Sequence, residues 1–122
     1  MWFVNRGKAI AAEVRAELGD SEIVAIDEGA NCFGLESKGA WQIRGNGCLA
    51  ATSEEVLFIM WIPRKEIRIT RDWISAVEHP MSHLGKTVAR PLLKIRYNDD
   101  QGRPESVAWL VRDLPAWEAA LS

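Results

Sequence analysis

Two histidines four residues apart, His79 and His83, with Glu78 beside them, come nearest to a catalytic or metal-binding spacing in this sequence. On a helix, imidazoles at i and i+4 share a face and can grip a divalent metal, with a carboxylate as base or further ligand. Pro80 and Gly85 interrupt the segment, so it reads as a loop, and no third and fourth ligand stand at a fixed spacing. Two solvated loop histidines and no metal are therefore expected. A nucleophilic enzyme needs a serine or cysteine beside a base held on a rigid element. Ser75, Ser82, Cys32 and Cys48 are present, but neither histidine is on such an element. The chain reads as non-enzymatic, with no cofactor.

Met1-Trp2-Phe3-Val4-Asn5-Arg6 carries no apolar leader with a small-residue cleavage site behind it, which predicts a cytoplasmic protein. Cys32 and Cys48 are then expected as reduced, buried thiols rather than a disulfide. The nearly uninterrupted apolar run Val56 to Ile62 is far short of the ~20 residues of a membrane-spanning helix and reads as a buried strand. With a pI near 5.7 and no basic face interleaved with aromatics, nucleic acid is not an expected partner.

The elements that must position these residues are legible from periodicity. At 122 residues, 48% hydrophobic and 26% charged, the sequence predicts one ordinary globular domain. Ile10, Val14 and Leu18 recur at helical spacing between Asn5, a candidate N-cap, and Gly19, a candidate C-terminal stop, giving a helix within 1–19. From about residue 22 to 112 the period becomes two, and seven strands are expected. The first runs Ile23 to Leu35 with a bulge near Gly29, and the second follows a Lys38-Gly39 turn from Trp41 to Ala51, bent at Gly45 and Gly47. Glu54 to Ile62, Glu66 to Thr70, Trp73 to His79, Leu93 to Tyr97 and Ser106 to Arg112 supply the others, with an irregular stretch from His79 to Pro91. Residues 113–122 read as a short helix, N-capped by Asp113, with Leu114, Trp117 and Leu121 on one apolar face. So short a helix needs a docking surface, and the open end of a seven-stranded antiparallel barrel offers one.

Three patterns carry a family resemblance: Gly47-Cys48-Leu49-Ala50-Ala51-Thr52 running into Val56-Leu57-Phe58, Ile67-Arg68-Ile69 followed by Ile74-Ser75-Ala76-Val77-Glu78, and Leu93-Lys94-Ile95 through Gly102 to the Trp117 helix. In order and spacing, from about Glu22 onward, they resemble the pleckstrin-homology-like superfold, in particular its bacterial PH and GRAM-type branch. The resemblance implies a mainly β, seven-stranded PH-like barrel or sandwich with a C-terminal capping helix, the N-terminal helix being an addition. It also implies a binding module rather than an enzyme. Lipid-binding PH domains have a basic motif between the first two strands, where this chain offers Lys38 and Arg44, with Asn46 at the place of a further basic residue. Arg64 and Lys65, in the turn after the third strand, could join them as an anion or phospholipid site. Residues 41–96 carry nine basic and five acidic side chains, whereas Asp99 and Asp100 belong to a turn expected at the same end. An ordinary solvated face is the competing reading.

The protein-interaction alternative rests on apolar residues that one barrel has difficulty burying. Six tryptophans are present; Trp61, Trp109 and Trp117 fit a core, whereas Trp2, Phe3, Trp41 and Trp73 fit it less easily. The Ile10, Val14 and Leu18 stripe must cover either its own sheet or a neighbour's. Self-association, a protein partner, or a peripheral membrane contact through Trp2 and Phe3 with Arg6 and Lys8 all follow from that surplus.

Overall fold

The computed structural model describes residues 2–38 and 44–122, without the side chains of 2–7, 38, 86 and 87. A helix α1 (Trp2–Leu18) ends at Gly19, whose φ of +60° is the left-handed stop that glycine adopts without strain. Asn5 is one full turn inside the helix, so it is not the N-cap. Then follow β1 (Ala25–Leu35), β2 (Gly45–Ala51), β3 (Glu55–Met60), β4 (Lys65–Thr70) and β5 (Ile74–Glu78). A small hairpin of β6 (Ser82–His83) and β7 (Lys86–Thr87) precedes β8 (Leu93–Asn98), β9 (Pro104–Leu110) and the closing helix α2 (Leu114–Leu121).

Seven strands form one antiparallel sheet in the order β4-β3-β2-β1-β9-β8-β5. β1 is long enough to pair with both β2 and β9, so it joins the two halves of the sheet. It is irregular in two places: the register shifts between Asp27 and Ala30 against β2, and between Cys32 and Gly34 against β9. The first shift is the bulge expected near Gly29. The buried Asp27 carboxylate holds it, accepting from the Gly29 amide at 2.9 Å and the Arg112 amide at 2.6 Å.

The closed barrel is corrected to an open sheet: the outermost strands β4 and β5 do not pair with each other. Glycine bends and alternation specify curvature, but closure also needs two free edges in register. Here a cleft lined by Ile67 and Thr70 of β4, by Trp73 and by Tyr97 of β8 lies beside β4. α2 meanwhile lays Trp117, 1% exposed, into the core, with Leu114 and Leu121 packed against it. The Asp113 carboxylate caps α2 by accepting from the Ala116 amide at 3.2 Å, as its position in the sequence predicts. Arg71 ties the other end, donating to the carbonyls of Thr52 at 3.1 Å and Ala120 at 3.0 Å.

Both faces of the sheet are covered. One face holds the main core, where Phe58 and Trp109 meet edge to face with ring centroids 5.7 Å apart. On the opposite face, Ile10, Ala11, Val14 and Leu18 of α1 close over Cys48, Ala50, Leu57 and Ile59 of β2 and β3. Each large side chain buried in this layer contributes about 1.5–3 kcal/mol. Further along that face, Phe33, Leu92 and Ala108 are covered by the segment between β5 and β8. Within that segment the β6–β7 turn runs through Leu84 and Gly85 with φ of 52° and 80°, the positive pair required by a tight hairpin. That hairpin was not foreseen in the irregular stretch. Neither was the burial of His83, 3% exposed, which the hairpin seats on β1.

Candidate functional site

The cleft that runs from β4 past Trp73 to Tyr97 of β8 and the turn after it is the feature that best combines shape with chemistry. It has a volume of about 410 Å³ and is floored by Leu35, Ile67, Thr70 and Tyr97, with Glu66, Arg68, Asp99 and Asp100 around it. A short helical turn, Arg71–Trp73, carries the chain from β4 to β5 and sets Trp73 at its mouth, 41% exposed. Trp73 thus presents a large, rigid and only partly desolvated ring beside a mostly apolar cleft.

The charges around the cleft are unevenly matched. Arg68 is held by two carboxylates, Glu55 at 2.7 Å and Glu17 of α1 at 3.4 Å. Asp99 accepts from the Gln101 and Arg103 amides at 2.8 Å each and from Arg103 Nε at 3.3 Å. The backbone bond from Arg103 leads in holding its carboxyl below the usual range. Asp100 and Glu66 are exposed. Among the described residues around the cleft, the charges left without an ion pair, Glu66 and Asp100, are both acidic.

The residues proposed for an anion site are dispersed or engaged. Arg64 is ion-paired with Glu13 of α1, and Arg44 spends its Nε on the Phe33 carbonyl at 3.2 Å. Lys65 opens β4 and is exposed, whereas the Lys38 side chain lies outside the described residues, as do Gly39 and Trp41. The Trp61 amide donates to the Asn46 carbonyl at 2.9 Å, which puts the β3–β4 turn beside the start of β2. The pairing of Leu35 with Val107 and of Asn98 with Pro104 brings the acidic turn to the same end. Of the interaction-surface residues, Ile10, Val14 and Leu18 are buried against the chain's own sheet and present no exposed stripe. Trp73 is exposed; the side chains of Trp2 and Phe3 lie outside the described residues.

Elsewhere the reactive groups are muted. Burial pushes the Cys32 thiol up to about 11 and the Cys48 thiol up to about 12, so both stay protonated and poorly nucleophilic. Burial likewise raises the Tyr97 phenol. His83 Nε2 meets the Gly34 carbonyl at 2.9 Å while its Nδ1 has no hydrogen-bond partner among the described residues, and burial lowers its pKa. His79 lies 3.7 Å from Glu118 of α2, away from the hairpin that holds His83. Among the described residues no cluster of three His, Cys, Asp or Glu side chains is placed to hold a metal ion, and no helix is long and apolar enough to cross a membrane.

Sequence reasoning singled out Trp73 but not the residues around it, because Leu35, Ile67 and Tyr97 read as ordinary inward positions of three separate strands. Comparison with known proteins finds no family model that matches the chain and no similar curated protein.

Proposed function

We propose that the chain is a non-enzymatic, PH-like binding or assembly module whose contact site is the seam between β4 and β5. A seven-stranded antiparallel sheet with a C-terminal helix laid into its core supports the PH-like assignment. The observation that carries the function is the apolar cleft with Trp73, the residue before β5, exposed at its mouth, beside the outermost strands β4 and β5, whose outer sides have no partner strand among the described residues. Such edges offer main-chain donors and acceptors, and the cleft offers a pocket for a side chain.

Peptide-display selection on the immobilised chain tests this reading, with amide NMR mapping of the recovered binders. Binders that shift Trp73, Ile67 and Thr70, and that are lost with Trp73→Ser, support the seam. Binders indifferent to that substitution and mapping to another surface overturn it. The anionic-lipid alternative draws less support, because Arg64 is already held by Glu13 and Asp99 and Asp100 stand at the same end of the sheet. Flotation on anionic liposomes that is abolished by reversing Arg64 and Lys65 to Glu would reinstate it.

A further inference from the structure

We infer that the seam, if it is the contact site just proposed, takes an extended, basic segment of a partner protein, laid along β5 with one apolar side chain in the cleft. The two free edges are not equivalent. β4 presents Lys65, Glu66 and Arg68, the charged residues with which natural edge strands resist further pairing. β5 reads Ile74-Ser75-Ala76-Val77 before its first charge at Glu78, with Ile74, Ala76 and Val77 only half-buried. Its other side is already hydrogen-bonded to β8, from Ile74 opposite Tyr97 to Glu78 opposite Lys94. The outer side of β5 is therefore the receptive edge. Five residues of ladder suit a segment of about 17 Å.

Charge selects the occupant. Among the described residues lining the cleft, Glu66, Asp99 and Asp100 stand against Arg68; Glu55 and Glu17 neutralise Arg68 and Arg103 pairs with Asp99, which leaves Glu66 and Asp100 as the uncompensated charges. A lysine or arginine on either side of the apolar anchor meets this rim favourably, whereas an acidic segment is repelled. A second copy of this chain docked seam to seam would set one acidic rim against another, which argues for a different protein as partner.

The test uses two blocked nine-residue peptides, one alternating Lys with Val and Phe and the other its Glu counterpart, titrated into the isotope-labelled full chain at low salt. The lysine peptide is expected to shift the amides of Ile74–Glu78 and the Trp73 indole, and the glutamate peptide to bind those positions on the order of five- to tenfold more weakly. Asp100→Asn with Glu66→Gln, both exposed and with no side-chain ion pair among the described residues, is expected to shrink that preference several-fold and leave the thermal midpoint unchanged. Equal or tighter seam binding by the glutamate peptide overturns the charge inference while the seam reading stands. Shifts from both peptides that fall wholly outside the seam overturn the two together. Seam resonances that move on simple dilution of the chain identify a second copy as the occupant and overturn the inference of a foreign partner.

Discussion

Gly47 has no room for a side chain: a Cβ there would lie 2.3 Å from the Ile59 carbonyl oxygen and 2.8 Å from the Phe58 ring. Backbone cannot swing aside as a side chain does, so Gly47→Ala is expected to destabilise the fold by about 2–4 kcal/mol, read as a lowered urea midpoint. Trp73→Ser, at an exposed position, is expected to stay within about 1 kcal/mol of wild type by the same measurement while removing binding at the seam. His83 makes stability depend on pH. The groups facing it are the Gly34 carbonyl, Glu36, Lys94 and Arg44, and burial leads in lowering its pKa from the ordinary 6.5. The unfolded chain then binds the proton more readily, so stability is present above about pH 6.5 and declines as pH falls from there toward the folded pKa. His83→Gln is expected to flatten that decline in denaturation curves between pH 7 and 5; an unchanged slope assigns it to other groups.

At the level of elements, α2 is held by Arg71 as well as by the buried Trp117. Arg71→Met keeps much of the stem but removes the bonds to Thr52 and Ala120. The expected cost is about 1–2 kcal/mol, with faster amide exchange confined largely to residues 114–121. α1 behaves in the opposite way: its exposed ion pairs, Glu17 with Arg68 and Arg15 with Glu28, contribute little, and its buried stripe contributes most. Leu18→Ala is expected to lose about 2–4 kcal/mol, and Glu17→Gln under 1 kcal/mol, by thermal denaturation.

Helices, strands and their order were readable because each shows its own period and stop: Ile10, Val14 and Leu18 before Gly19, Leu93 to Tyr97 before the Asn98–Gly102 turn, and Asp113 ahead of Trp117. The β6–β7 hairpin was not, since two-residue strands carry no periodicity, and a turn through Leu84 and Gly85 lacks the Asn-Gly signature of such loops. His83 was misplaced with it.

At the scale of the whole molecule, the difference between a closed barrel and an open sheet lies in contacts that no local pattern encodes. Whether β4 meets β5 depends on the twist accumulated over seven strands and on how far α2 enters the core. The candidate site inherits that limit: Leu35, Ile67, Trp73 and Tyr97 come from four places in the chain, and only Trp73 advertised itself. Sedimentation over a concentration series is expected to show a monomer for the isolated chain, because the α1 stripe is already spent on its own sheet and the acidic seams repel each other. A dimer that disappears in Trp73→Ser would give the seam to self-assembly.

The central pairing of β1 with β9 joins the beginning of the sheet to nearly its end, Leu35 to Val107 and Cys32 to Trp109. Chain emerging from a ribosome can therefore assemble α1 with β1 to β4 early, but β5 and β8 attach to that half only through β9. Until residues 104–121 have been made, β1 has an open flank and the core lacks both Trp109 and Trp117. This domain must wait for its own tail, and a stalled nascent chain ending between β8 and β9 is the form most in need of a chaperone.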